Sequence, residues 1–190
     1  MLPDSSWAWL AADGLARPWT LLTAPLAHLH GPHLVVNLLA LAALACLAYG
    51  TRARKRVWLA AALAWPLGLL ALGAWPDLPR YVGLSGPLHG LAAAMVVDHL
   101  MRRRRGAPVR PVTPGDGVIA LLGAGLAAKL LLEASWRQPD AWDASLEMTV
   151  IMAAHLSGTM AGGVAALLCA YQGAEARKGT PKPALMEKTQ

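Results

Sequence analysis

The sequence predicts an all-α membrane protein, a polytopic bundle of helices. Of its 190 residues, 56% are hydrophobic and only 15% are charged, and the mean hydropathy is +0.41. Soluble domains carry about 25% charged residues, so this chain has too few to cover a solvated surface. The apolar residues fall into long stretches, and the basic residues fall between them. These observations exclude an ordinary soluble enzyme.

Five apolar stretches are each close to the ~20 residues that cross a bilayer as a helix. They cover residues 34–50, 57–75, 83–101, 117–134 and 149–171. We therefore expect an N-terminal segment and outer loop at residues 1–32, a transmembrane core at residues 33–171 and a polar tail at residues 172–190.

The net charge of +6 is ordered along the chain. Most Lys and Arg residues lie in three polar segments, at residues 52–56, 102–110 and 177–188, whereas the other connectors carry acids such as Asp77 and Asp140. Because cytoplasmic loops are enriched in Lys and Arg, the basic segments and the C-terminus are expected in the cytoplasm. We therefore attribute the net positive charge to orientation in a lipid bilayer and not to binding of a nucleic acid. Spans one, three and five then run inward from the outer face.

Residues 1–16 do not provide a further span. Asp4, Asp13 and Gly14 interrupt them, and they lack the charged, apolar and cleavage regions of a signal peptide. Because the first span enters from outside, either this short segment is translocated or the gene start lacks an upstream helix. We expect the second.

Polar side chains inside a bilayer are costly, so each one is a candidate functional residue. His33 and Asn37 lie at the outer end of the first span. Ser85 lies at the outer end of the third span, and His155 at that of the fifth. At about 1.5 Å per residue these positions can share one depth. We therefore expect one site near the outer face.

Ser85 lies at a helix start rich in small residues, with Gly83, Gly86 and Gly90 around it. Glycine allows unusual backbone angles and close approach of another chain. A helix N-terminus adds unpaired N–H groups and a positive dipole, which would stabilise an oxyanion. The alternative is that Ser85 only caps the helix.

His155 is followed by Gly158 and Gly162 on nearly the same helix face. Small residues at this spacing let membrane helices pack backbone to backbone. Such packing between the third and fifth spans would bring His155 to Ser85, as a Ser–His hydrogen bond requires. The alternative is that His155 only packs or hydrogen-bonds within the bundle.

Two further pairs are spaced i and i+4. His33 and Asn37 can both donate hydrogen bonds. A metal site is the alternative there, but it would lack a Cys or a carboxylate at that depth, so we expect no metal and no cofactor. Lys129 and Glu133 predict an intramembrane ion pair in the fourth span, with substrate recognition as the alternative role.

Three motifs resemble those of the rhomboid intramembrane serine proteases and occur along the chain in the same order as in that family. One is the GxSG motif at residues 83–86, and another is the histidine at 155 with its two glycines. The first in the chain precedes the second family helix and is matched in spacing by Trp19, Thr23, His28, His33 and Asn37. Thr20 and Leu26 replace the Arg and Phe of that motif. The resemblance implies a rhomboid-like fold with a six-helix core, of which helices two to six are visible here and the first is missing.

A narrower resemblance is to the rhombosortases, through residues 83–90, 128–133 and 154–158, with His89 in the same pattern. It implies a protease of the bacterial inner membrane with its active site near the outer face. Its substrates would be membrane-tethered proteins with a C-terminal transmembrane tail that carries a GlyGly-CTERM sorting signal.

The resemblance also implies roles for single residues. Ser85 would be the nucleophile and His155 its general base, in a dyad without an Asp. His33 and Asn37, together with the Ser85 backbone N–H, would form the oxyanion hole. His28 is expected to be structural, and His89 to have either a structural role or contacts with substrate.

Two other classes of function stay open. One is a catalytically inactive rhomboid-like scaffold that binds membrane proteins. The other is a small transporter or channel, which would need a path of paired charges or an internal repeat.

Overall fold

The computed structural model describes residues 6–13, 15–78, 80–105 and 113–178. Within these ranges the chain is a helical bundle, which confirms the predicted fold class, with two short antiparallel strand pairs. The helices are α1 (Thr20–Thr23), α2 (Gly31–Gly50), α3 (Lys55–Ala71), α4 (Ser85–Arg105), α5 (Pro114–Glu133) and α6 (Met152–Lys178). The strands are β1 (Trp9–Leu10), β2 (Arg80–Tyr81), β3 (Ala141–Asp143) and β4 (Met148–Val150).

Four of the described helices are long and apolar enough to cross a membrane. They lie at Gly31–Gly50, Lys55–Ala74, Pro114–Glu133 and Met152–Gln172. The other predicted span, at residues 83–101, is helical from Ser85 onward and belongs to α4, but α4 is not among the four. Asp98, His99 and the arginines at its end lower its hydropathy.

The position of α4 in the bundle explains why it need not be as apolar as its neighbours. It contacts α2, α3, α5 and α6, and Leu91, Ala94 and Met95 on it are at most 5% exposed. A helix enclosed by other helices does not have to present an apolar surface to lipid. By contrast, only 6% of the apolar stretch of α5 is buried inside the bundle, as expected for a helix whose surface faces lipid.

A buried carboxylate joins α3 and α4 at the end of α4 away from Ser85. Asp98 is 1% exposed. It accepts a hydrogen bond from Arg56 of α3 and lies 3.1 Å from Arg102, one helical turn further along α4. Because an isolated buried charge is very costly, the two arginines are what allow an acid at this position.

The N-terminal halves of α4 and α6 pack backbone to backbone through glycines. A Cβ on Gly158 would overlap the carbonyl oxygen of Gly86, and a Cβ on Gly162 would overlap that of Gly90. From the other side, a Cβ on Gly68 of α3 would lie 3.2 Å from the Gly158 Cα. Helices can approach this closely only where side chains are absent.

The two strand pairs lie at the Ser85 end of the bundle. β1 pairs with β2, which places Trp9 opposite Tyr81, and β3 pairs with β4. The loop between β3 and β4 is closed by the Asp143 carboxylate, which accepts hydrogen bonds from the Ser145 N–H at 2.8 Å and the Ser145 hydroxyl at 2.6 Å. Both strand pairs therefore border the start of α4.

The ends of the last predicted span differ from the structure. Residues 149–150 belong to β4 rather than to a helix, because they pair with β3, and α6 begins at Met152. At the other end α6 continues to Lys178, so the first part of the predicted tail is helical. Residues 179–190, the remainder of that tail, lie outside the described residues, as do residues 1–5 of the N-terminal segment.

Candidate active site

Ser85 is the first residue of α4 and follows a tight turn. Gly83 in this turn has a φ of +111°, which residues with side chains rarely adopt. A Cβ at Gly83 would also lie 2.6 Å from Cε1 of His33. Position 83 therefore requires glycine. The turn also places the His33 side chain of α2 against the backbone that leads into Ser85.

The hydroxyl of Tyr81 braces the same turn. It donates a hydrogen bond to the Gly83 carbonyl at 2.6 Å and accepts one from the Gly86 N–H at 3.1 Å. Burial of Tyr81 raises its pKa to about 12, so the hydroxyl stays neutral. The sequence prediction did not include Tyr81, because its contacts depend on the path of the turn, which no sequence pattern marks.

The first turn of α4 has one backbone N–H that is free to bind a ligand. The Gly86 N–H is bonded to Tyr81, Pro87 has no N–H, and the Leu88 N–H donates to the Leu84 carbonyl at 3.0 Å. Among the residues described, nothing accepts from the Ser85 N–H. An anion next to Ser85 would meet this donor and the positive end of the helix dipole.

His155 of α6 is held at its edge and on one face. Its Nδ1 lies 3.0 Å and 2.9 Å from the two carboxylate oxygens of Glu133. The His89 ring stacks on it, with ring centroids 4.2 Å apart and planes inclined by 12°. Nδ1 of His89 in turn bonds the Ser85 carbonyl at 2.7 Å. Since Nδ1 of His155 faces an acceptor, Nε2 is the nitrogen left to act on other groups.

Lys129 and Glu133 form the predicted ion pair, with Nζ and Oε1 2.6 Å apart. The expectation that no carboxylate lies at the depth of the site is wrong, because Glu133 reaches His155 from the end of α5. The sequence did hold a signal for this contact. Consecutive spans cross the membrane in opposite directions, so the last residue of the fourth lies in the same leaflet as the start of the fifth.

His33 and Asn37 are both buried on α2, at 6% and 4% exposed. One N–H of the Asn37 amide donates to the His33 carbonyl at 2.9 Å, which leaves its second N–H for another acceptor. Nδ1 of His33 is buried and has no hydrogen-bond partner among the described residues. Both side chains can therefore still donate to a ligand.

Two further histidines lie next to His33. The His28 ring meets the His33 ring edge to face at 5.0 Å, and burial lowers the pKa of His28. Nδ1 of His30 accepts from the His33 N–H at 3.3 Å and so caps α2, a role that the sequence did not suggest. In the described part of the chain, no group of three or more His, Cys, Asp or Glu side chains is arranged to hold a metal ion.

A cavity of about 820 Å³ lies between these elements and is closed on one side by the β3–β4 hairpin. Its lining includes seven of the predicted site residues: His33, Asn37, Ser85, His89, Lys129, Glu133 and His155. Of the predicted glycines, Gly83 lies in the turn before α4, whereas Gly86, Gly90, Gly158 and Gly162 lie at the contact between α4 and α6. These glycines and His28 are outside the cavity lining. Among the hydrogen bonds of the described residues, none joins the Ser85 hydroxyl to His155. A cavity of this size can hold a short stretch of unwound peptide together with water.

Comparison with known proteins identifies the family. The family model of the Rhomboid domain matches residues 15–172, which is most of the chain. No curated protein matches significantly, and neither does any solved structure. The match agrees with the helical bundle and its four apolar helices, which make this a multi-pass membrane protein. The chain belongs to the rhomboid family, a family of intramembrane proteases that act on membrane proteins.

Proposed function

We propose that the chain is an intramembrane serine endopeptidase with Ser85 as nucleophile and His155 as general base. The main support is that both residues, from α4 and α6, line one cavity together with His33 and Asn37 of α2. A serine that only capped a helix, or a histidine that only packed in the bundle, would not need to share a cavity with these other polar residues. Hydrogen bonds between catalytic groups are often long without substrate and tighten when it binds.

The chemistry then follows from the positions of the groups. The Ser85 oxygen attacks the carbonyl carbon of the substrate, and its proton passes to Nε2 of His155. Collapse of the tetrahedral intermediate breaks the C–N bond, and His155 returns the proton to the leaving nitrogen. Water hydrolyses the ester on Ser85 by the same route in reverse, which releases the acid and restores the serine hydroxyl.

The oxyanion of the intermediate would be held by three sets of donors. These are the His33 imidazole, the second N–H of Asn37 and the backbone N–H of Ser85. Donors placed where charge develops are worth about 3 to 4 kcal/mol each in comparable sites. Their burial strengthens the interaction, because the local dielectric constant is low.

The substrate would be a membrane-tethered protein whose C-terminal transmembrane tail carries a Gly-Gly sequence. The sequence resemblance to rhombosortases supports this assignment. The cavity also reaches Val36 and Ala40 on α2 and Lys129 on α5, so a substrate helix could enter from the bilayer between these two helices. Glycines in the tail would help the helix to unwind before attack.

The arrangement of charges suggests how the protein lies in the membrane. Lys and Arg between α2 and α3, and at the end of α4, would be cytoplasmic. The Ser85 end of the bundle would then face the outside of the bacterial inner membrane, and the C-terminus would be cytoplasmic. Water would reach the cavity from the outer face.

Cleavage of a reporter tests this proposal. The reporter is a soluble domain fused to a tail of Gly-Gly, a transmembrane helix and basic residues, co-expressed with the wild type, Ser85→Ala or His155→Ala. We expect cleavage by the wild type and none by either variant at equal membrane expression. A reporter whose Gly-Gly is replaced by Leu-Leu is the matched control and should stay intact. Cleavage that persists in Ser85→Ala would refute the nucleophile, and an inactive scaffold would cleave neither reporter.

A further inference from the structure

The contact between Glu133 and His155 extends the site beyond a serine and a histidine. We propose that Glu133 is a positioning residue that completes a Ser85–His155–Glu133 triad, and that Lys129 anchors it. The inference rests on the proposed function of Ser85 and His155. It differs from the dyad that the sequence suggested.

The geometry is that of a carboxylate that selects one form of the imidazole. Both oxygens of Glu133 approach Nδ1 of His155, at 3.0 Å and 2.9 Å, and the two side chains are only 11% and 5% exposed. A neutral histidine that donates from Nδ1 carries its lone pair on Nε2. That is the form that can accept the Ser85 proton, and the carboxylate then stabilises the imidazolium.

The backbone brings Glu133 to this position from a separate helix. It is the last residue of α5, which ends where Ala134 adopts a left-handed conformation with φ 46° and ψ 42°. Because α5 packs chiefly against α4 and only slightly against α6, the carboxylate reaches His155 across the cavity. A purely structural ion pair would be expected along a packed helix contact instead.

Lys129 neutralises the carboxylate without competing for the histidine. Its Nζ lies 2.6 Å from Oε1 of Glu133, one helical turn away, and its side chain is 47% exposed. The ion pair therefore holds the Glu133 carboxylate in place beside His155.

The labelling rate of the full-length protein by a fluorophosphonate probe, measured in detergent micelles, tests the triad. Glu133→Gln keeps the shape of the side chain and removes its charge. Asp116→Asn is the matched control, because Asp116 is also on α5 and pairs with His99 at 3.1 Å, at the opposite end of the helix. Ser85→Ala shows whether labelling needs the nucleophile.

We expect Glu133→Gln to lower the limiting rate of phosphonylation by ~10-fold or more, because the general base loses the group that orients it and stabilises its charged form. The half-saturating probe concentration should change by less than about twofold, because Glu133 does not touch the probe. Glu133→Asp should recover part of the rate, whereas Asp116→Asn should react like the wild type. A merely structural role would instead lower the thermal unfolding midpoint and leave the limiting rate of the folded fraction unchanged.

The outcomes distinguish failure of the triad from failure of the proposed protease function. If labelling requires Ser85 and His155 but Glu133→Gln reacts within about twofold of the wild type, the triad is wrong and the protease remains. If the folded wild type is not labelled, or Ser85→Ala still is, the proposed function fails and the triad fails with it. If Glu133→Gln does not fold, Lys129→Gln decides: we expect a slower limiting rate, and an unchanged rate overturns the inference.

Discussion

Tyr81 shows how one hydroxyl can shape the candidate site. Its loss in Tyr81→Phe would leave the Gly83 carbonyl and the Gly86 N–H without their buried partner. Unsatisfied buried groups cost about 1 to 3 kcal/mol, so we expect a lower thermal unfolding midpoint and slower reporter cleavage. Tyr49→Phe is the control, because Tyr49 is 89% exposed. Equal midpoints for the two variants would contradict the role of Tyr81.

The pKa of Tyr81 predicts a dependence of stability on alkaline pH. Burial raises it to about 12, whereas a tyrosine in an unfolded chain titrates near 10. The raised pKa favours the unfolded state once its tyrosine ionises, so stability is complete below about pH 10 and falls between pH 10 and 12. Unfolding of the wild type and Tyr81→Phe across this range measures the effect. The variant should lose less stability than the wild type, and parallel curves would exclude Tyr81 as the cause.

Single residues also mark the limit of prediction from sequence. Gly83 was recognisable because the GxSG turn needs a backbone that only glycine adopts readily. Glu133 was assigned to an ion pair with Lys129 from its i and i+4 spacing, which is correct but incomplete. Its contact with His155 was indicated only by the order of the spans, which places the end of α5 in the same leaflet as the start of α6, and not by any spacing within α5.

At the level of helices, the contact between α4 and α6 depends on glycines at Gly90 and Gly162. In Gly162→Ala the new Cβ would overlap the Gly90 carbonyl oxygen, so the helices must separate. We expect a lower unfolding midpoint and loss of cleavage, because overpacking costs about 1 to 3 kcal/mol. The measurement is thermal unfolding in detergent, paired with reporter cleavage.

The neighbouring Gly163→Ala provides the control. Its Cβ would meet only Val97 Cγ2, at 3.9 Å, which is an ordinary contact. Replacing glycine by alanine within a helix otherwise stabilises it by roughly 0.5 to 1 kcal/mol. The control should therefore unfold at the same temperature as the wild type or higher. A Gly162→Ala protein as stable as this control would contradict close packing at that position.

The helices themselves were largely predictable, and their ends were less so. Apolar length located α2, α3, α5 and α6, because lipid-facing helices must be apolar throughout. α4 was found by the same criterion although it is less apolar, because its N-terminal part is rich in Leu, Ala and Val. The start of α6 was placed too early, since the pairing of β3 with β4 is a contact between segments that apolar length does not reveal.

For the whole molecule, the proposed orientation predicts which loops face the outside. In a background with Cys46→Ala and Cys169→Ala, Ser145→Cys lies in the β3–β4 hairpin and Thr51→Cys lies between α2 and α3. An impermeant maleimide applied to intact bacterial cells with a permeable outer membrane should label the first and not the second. Both should react after the inner membrane is permeabilised. The opposite pattern would invert the orientation.

The candidate site as a whole could be predicted only in part. Depth along the spans grouped His33, Asn37, Ser85 and His155, because helices that cross in the same direction have their outer ends in one leaflet. The brace from Tyr81 and the reach of Glu133 arise from loops and helix ends, whose paths no periodic pattern fixes. All of these residues line one cavity, in a chain that belongs to the rhomboid family.

The most direct measurement is the site of fluorophosphonate attachment on the folded full-length protein. Peptide mass spectrometry should find the phosphonyl group on Ser85 alone in the wild type. His155→Ala, folded to the same extent, should react ~100-fold more slowly or worse, as expected when a general base is lost. Absence of label from folded wild type, or label on a residue other than Ser85, would contradict a serine protease built on Ser85 and His155.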